Sequence, residues 1–264
     1  MIIDCFTFFN ELDLLEIRLH ELADVVDVFC LAESTMTFSG NKKELYYQEN
    51  KDRFSQFNII TKTVDDMPVN CNSWTREHHQ RNTIKSMLDT FDNDDIVIMS
   101  DLDEIPAAID VSKLPELLSA CDRVEFSHRL YSYALNGSEN TRIIGSAATK
   151  LKTLQSKNAS MHQLLRNKPR LDWVTNRMES GWHFSYANTI ENIALKIKSF
   201  SHTEFNKPKY TDIHVLSDRV ENGLNIFGRK VSPVTYEKID ESWPEYVFKN
   251  QHKFLHLIRP VRDE

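Results

Sequence analysis

At 264 residues, with 41% hydrophobic and 10% aromatic content, the chain is long enough to bury a sizeable core and has an ordinary globular composition. A net charge of −7 withholds the basic footprint of a general nucleic-acid binder, while leaving room for a local phosphate pocket. Cys5, Cys30, Cys71 and Cys121 are scattered without a C-x-x-C pair, which argues against a zinc site or a disulfide framework. No apolar run is long enough to span a membrane and no signal peptide precedes the first strand. The expectation is therefore a soluble, cytoplasmic protein with no integral membrane segment, peripheral membrane association being left open.

Met1 to Phe9 predicts a strand, and Asn10 is placed to cap the helix whose stripe is Leu12, Leu15, Leu19, Leu22 and Ala23. Val25 to Ala32 predicts a second strand, ending at Glu33-Ser34-Thr35, and a third is expected near Asn58 to Thr63. A helix over Trp74 to Phe91 leads to a fourth strand and the run Asp101-Leu102-Asp103-Glu104. Successive βα units imply an α/β fold with a mostly parallel central sheet flanked by helices. Beyond Pro106 the pattern changes. Ser112 to Ala120 reads as a short helix, and Val124 to Ala134 and Ile143 to Leu154 as longer strands. Gly181 to Tyr186 predicts a strand, Ile190 to Phe200 a helix capped by Asn188, and Pro208 to Asn222 a helix closed by Gly223. The tail from Pro244 reads as a helix and a strand. Without repeats or a flexible linker, residues 1–264 are expected to form a single domain.

The acidic run carries the chemistry. Ile96-Val97-Ile98-Met99 reads as a fully buried strand, and ligands of open α/β sheets bind beyond the carboxyl ends of strands. Asp101 and Asp103 in extended chain project to one side, with Leu102 as an inward anchor. Two hard carboxylates there suit Mg²⁺ or Mn²⁺ shared with substrate phosphates. Arg81 falls on the buried stripe of the preceding helix, and a cation so placed needs a partner: a diphosphate or uracil, or else Glu33 or Asp101. Glu33 at its own strand end reads equally as a nucleoside contact or a cap. In Gly181-Trp182-His183-Phe184-Ser185-Tyr186 the aromatics alternate inward, leaving His183 flanked by small residues as a third metal ligand, with His202 as its rival.

Several segments together resemble glycosyltransferase family 17: Asp4 to Leu19, Val26-Asp27-Val28-Phe29, Glu33-Ser34, Thr37 to Gly40, Arg81-Asn82, Ser100 to Pro106, Gly181 to Ser185 and Lys196 to Glu204. The resemblance implies a GT-A fold, with residues 1–106 as the nucleotide-sugar-binding half and 107–264 as the acceptor-side half. It also implies an inverting transfer of a sugar, most simply N-acetylglucosamine from UDP-GlcNAc, assisted by Mn²⁺ or Mg²⁺. On that footing Asp101 and Asp103 serve the metal with His183, while Asn10, Glu33, Arg81 and Asp101 serve the nucleotide sugar. Glu104 touches the donor sugar, and Glu179 and Glu204 are candidate bases. The chain begins at its first strand, without the anchor and stem of a Golgi enzyme. The expected acceptor is therefore a glycan, glycolipid or polysaccharide precursor, its site shaped in part by Tyr131, Tyr133 and Asn136. Two rival functions remain: a phosphatase or phosphotransferase with an Asp-x-Asp nucleophile, and a non-catalytic nucleotide-sugar-binding module.

Overall fold

The computed structural model describes residues 1–261. The first half alternates as expected: β1 Ile2–Phe8, α1 Leu12–Leu22, β2 Val28–Ser34, α2 Tyr46–Asn50, β3 Ile59–Val64, α3 Ser73–Met87 and β4 Ile96–Asp101. Then come β5 Glu104–Ile105, α4 Ala108–Val111, α5 Leu114–Ala120, β6 Arg123–Ser132, β7 Gly137–Lys150, α6 Leu151–Ser156 and α7 Met161–Arg166. The chain continues through β8 Thr175–Ser185, α8 Ile190–Ser199, α9 Pro208–Thr211, α10 Ile213–Glu221, β9 Thr235–Tyr236 and α11 Glu245–Lys249.

One sheet runs β3-β2-β1-β4-β7-β6-β8-β5, with β9 paired to β7. Its first half is parallel, as expected. Over the whole sheet the ladders are evenly mixed, because β4–β7, β6–β7, β5–β8 and β7–β9 are antiparallel. The sheet also curls: β5, at its far edge, is joined to β4, in its middle, by only Leu102 and Asp103. Strand alternation feeds two cores. Phe6 and Phe8 of β1 pack with Leu15, Leu19 and Leu22 of α1, while Ile3 and Cys5 face Ile84 of α3 and Leu164 of α7. Among the described residues no helix is long and apolar enough to cross a membrane.

Three of the departures from expectation have local reasons. The strand expected over Ile143 to Leu154 stops at Lys150, because its partner β4 begins at Ile96, opposite Lys150; Leu151 and Leu154 then bury on a helix. The helix expected over Pro208 to Asn222 breaks at Asp212, whose carboxylate caps α10 by accepting from the His214 and Val215 amides. The tail forms α11 and a 3₁₀ stretch, Gln251–Leu257, that buries Val247, Phe254 and Leu257 at helical rather than alternating spacing. Residues 262–264 lie outside the described residues.

The buried face of α1 contains a charge. Arg18 and Asp4 are both 0% exposed and form a two-pronged pair at 2.7 and 2.6 Å. The same guanidinium donates to Ser100 Oγ and to the carbonyls of Asp101, Leu102 and Glu104, at 2.5, 3.3, 3.3 and 2.9 Å. It thereby ties α1 and β1 to the turn between β4 and β5. Arg18→Met strands the Asp4 carboxylate and is expected to cost about 3–5 kcal/mol. The double variant Asp4→Leu/Arg18→Met should regain part of that loss in urea denaturation, since no uncompensated charge is then left inside.

Candidate active-site cleft

A cleft of about 900 Å³ opens beyond the carboxyl ends of β1, β2 and β4. Asp101 closes β4, Leu102 is buried as an anchor, and Asp103 follows in a tight turn rather than in extended chain. The turn, not strand pleating, brings both carboxylates to the cleft wall.

Each carboxylate is held by cations from separate elements. Asp101 accepts from Arg81 of α3 at 2.6 Å and from Arg166 of α7 at 2.7 Å, one guanidinium per oxygen. Arg166 also reaches Glu104 at 2.9 Å, and Arg81 pairs with Glu77 one turn away. Asp103 accepts from Lys196 of α8 at 2.8 Å, and its other oxygen stands 3.7 Å from His183 Nε2. Burial alone would raise the pKa of Asp101, but Arg81 and Arg166 outweigh it and hold the acid below the usual carboxylate range. For Asp103, Lys196 and His183 likewise outweigh burial and lower the pKa. Burial disfavours the charge on Arg166, yet Glu104 and Asp101 raise its pKa still further.

The register of β5 on β8 assembles the His183 side. Glu104 lies opposite His183, Ile105 opposite Trp182, and the Phe184 amide donates to the Asp103 carbonyl at 2.9 Å. Gly181, at φ +67°, makes this approach feasible, since a Cβ there would lie 2.0 Å from the Ile105 carbonyl oxygen. Trp182 and Phe184 bury and His183 faces the cleft, as the alternation predicts; Tyr186, also expected inward, lies past the end of β8 at φ +55° and lines the cleft instead.

Other expected site residues lie elsewhere. Glu33 is buried behind the wall, accepting from Lys43 at 3.2 Å and from the Tyr47 amide at 3.2 Å, and it is Lys43 that lines the cleft. Asn10 does not cap α1; its amide donates to Asn192 Oδ1 at 3.3 Å. His202 sits on the wall beside Trp74 and bonds to Glu204 at 2.7 Å, making no contact with Asp103. Glu204 is exposed and does not line the cleft; nor does Glu179, which pairs with Arg142 at 3.3 Å. Tyr131, Tyr133 and Asn136 are core residues: Asn136 donates to the Glu237 and Arg259 carbonyls rather than shaping an open site. Sequence reasoning assigned nothing to Arg166 or Lys196. The capping box of Ser160 and Gln163 that starts α7 was the available signal for Arg166, which sits in that helix's last turn.

The donor set admits a divalent cation only in part. Asp103 Oδ1 and His183 Nε2 are too far apart for a hydrogen bond, and 3.7 Å is a span that two ligands of one cation at about 2.1 Å each can bridge. Among the described residues no group of three His, Cys, Asp or Glu donors occurs, so substrate oxygens would have to complete the shell. Buried side-chain atoms left without a hydrogen-bond partner include Arg81 Nε, His183 Nδ1, Glu33 Oε2 and Asn10 Oδ1. Of these residues Arg81 and His183 line the cleft, where unsatisfied polar nitrogens suit a polar ligand.

The family model described as "Glycosyltransferase family 17" matches residues 1–259. The chain belongs to this family. Among curated proteins, the β-1,4-mannosyl-glycoprotein 4-β-N-acetylglucosaminyltransferase of Rattus norvegicus is 23% identical, the alignment covering 99% of this chain and 55% of that protein. The human enzyme of the same name is 23% identical over 94% of this chain and 53% of its own length. The family 17 chain thus spans about half the length of the curated relatives it matches. Among solved structures, S. aureus TarS (residues 1–349) is similar at a TM-score of 0.46 and 9% identity, covering 83% of this chain and 72% of that one. Glucosyl-3-phosphoglycerate synthase from Mycobacterium tuberculosis is similar at a TM-score of 0.43 and 15% identity, covering 94% and 90%. The architecture is α/β, a curled mixed sheet between helices.

Behind the acidic turn, His128 is fully buried. Its Nδ1–H donates to the Ser180 carbonyl at 2.6 Å and its Nε2 accepts from the Ser146 amide at 3.2 Å, a pattern that requires the neutral ring. Burial pushes its pKa down to about 3. A base whose folded pKa is depressed adds stability above its unfolded value, about 6.5, and loses it as pH falls from there toward 3. Urea denaturation is expected to show wild type losing up to about 2 kcal/mol between pH 7 and pH 5 from this group. His128→Gln, which has no proton to take up, should show a smaller pH-dependent loss.

Proposed function

We propose that this chain is a metal-assisted, inverting glycosyltransferase that moves N-acetylglucosamine from UDP-GlcNAc to a hydroxyl of a glycan, glycolipid or polysaccharide precursor. The observation that carries this reading is the acidic turn: two carboxylates at the carboxyl end of β4, ringed by Arg81, Arg166 and Lys196, with Asp103 facing His183 across a metal-sized gap. Such a mixed-charge cradle suits a diphosphate bound together with a cation, and the cleft volume suits a nucleotide sugar. The names of the curated relatives support N-acetylglucosamine as the sugar.

In this proposal Asp103 and His183 hold the cation, which when bound supplies charge neutralisation at the diphosphate. Asp101 keeps Arg81 and Arg166 charged and aimed at the same oxygens, where negative charge builds as the glycosidic bond breaks. An inverting transfer also needs a base for the acceptor hydroxyl. Glu179 and Glu204 stand off the walls, whereas Glu125 of β6 is the cleft carboxylate contributed by the second half of the chain. Glu125 takes their place as the base candidate, provided the acceptor hydroxyl displaces the exposed Arg177 from Oε2; Arg123 on Oε1 and Arg177 together outweigh burial and lower its pKa in the free protein. With each Asp101 oxygen bound to a guanidinium, this acid suits charge positioning better than the in-line attack a phosphotransferase would need.

Differential scanning fluorimetry with a panel of nucleotide sugars tests the proposal. UDP and Mn²⁺ together are expected to raise Tm more than the sum of their separate effects, since each completes the other's site. Asp103→Ala should abolish that surplus and lower transfer about 100-fold or more. Arg166→Met should weaken UDP binding while leaving Mn²⁺ binding to Asp103 and His183 in place. Absence of any shift with every nucleotide diphosphate would overturn the reading, and tight binding without turnover on any acceptor would favour the non-catalytic module.

A further inference from the structure

Lys196 carries a consequence that goes beyond holding a helix in place. Its Nζ lies 2.8 Å from Asp103 Oδ2, 3.0 Å from Glu11 Oε1 and 5.6 Å from the centre of the Tyr186 ring. The remaining Asp103 oxygen faces His183. The ammonium therefore occupies one oxygen of the carboxylate to which the proposed function assigns the divalent cation. Two cations on one carboxylate repel each other, and the repulsion is least screened where the group is removed from water, as Asp103 is at 7% exposure. Lysine is suited to yield: its point charge rides on four methylenes and can turn without demanding a fixed planar geometry. Glu11 gives it a second carboxylate to remain on when it leaves Asp103.

We propose that Lys196 is a catalytic residue with two positions, resting on the transferase reading above. Without donor it is the internal counter-ion of Asp103. When a cation and a nucleoside diphosphate enter, it yields Asp103 and donates a hydrogen bond to the diphosphate instead. During transfer the acceptor oxygen bonds to the anomeric carbon as the bond from that carbon to the diphosphate oxygen breaks. The electron pair goes to that oxygen, and the acceptor's proton goes to the base. Lys196 transfers no proton; its charge stabilises the departing diphosphate.

This predicts effects of opposite sign. Mn²⁺ binding, followed by electron paramagnetic resonance of the free ion, should be about 5- to 10-fold tighter in Lys196→Met than in wild type when no nucleotide is present, because the competing charge is gone. At saturating Mn²⁺, UDP should bind about 10-fold more weakly to the same variant, because the diphosphate has lost a donor. Lys196→Gln, which is neutral but can still donate to Asp103, should show both effects more weakly and guards against misfolding of the methionine variant. A purely architectural lysine would weaken both ligands together or leave both unchanged, and either result in folded variants overturns the proposal. Wild type binding Mn²⁺ and UDP while neither variant gains Mn²⁺ affinity would overturn the role of Lys196 alone. Wild type binding neither would overturn the transferase reading, and this proposal with it.

Discussion

The contact between Arg18 and Asp4 sets the geometry on which the rest of the cleft depends. A short link carries the chain from β4, in the middle of the sheet, to β5 at its edge, and that link bears the two carboxylates. The turn would be free to tilt if its carbonyls faced only apolar neighbours. Instead one guanidinium, neutralised by Asp4, donates to three of those carbonyls and to Ser100. An arginine suits this position because its donors radiate in a plane and it stays charged when buried. From the other side, the Ser146 hydroxyl donates to the Glu104 carbonyl, and the Ser146 amide donates to His128 Nε2. The turn is pinned from beneath, so its side chains are free to face the cleft.

Above that pinned turn the cleft balances its charges. Acids cluster there from Glu11 just before α1, from α3 and from the β4–β5 segment, and the cations that answer them come from α3, α7 and α8. No single element supplies both members of the Asp101 or Asp103 pairs, so ligand binding that disturbs one pair is felt on helices far apart in sequence. Each buried charge is costly unless paired, which keeps this arrangement specific rather than merely polar.

Much of this was legible in the residues because it depends on local periodicity. The four apolar residues before Ser100 announce β4, Arg81 falls on a buried helical stripe, and the aromatics around His183 alternate. The core roles of Tyr131, Tyr133 and Asn136 were hidden, since aromatics beside a turn read equally as a binding surface or a core corner. Glu179 and Glu204 illustrate the same gap. Proximity in sequence to a site strand says nothing about whether a carboxylate reaches the cleft, and neither of these lines it.

By itself the sequence determined the α/β class, the parallel first half, the acidic run at a strand's carboxyl end and the choice of Asp101, Asp103, Arg81 and His183 as candidate site residues. Each follows from spacing within one element, or between an element and its immediate neighbour. The tertiary structure alone decided that Arg166 and Arg81 share Asp101, that Lys196 sits on Asp103, and that β5 joins β8 so that Glu104 lies opposite His183. Those contacts bridge tens of residues and depend on how far a mixed sheet curls, a property of strand register summed across the whole sheet rather than written in any one segment.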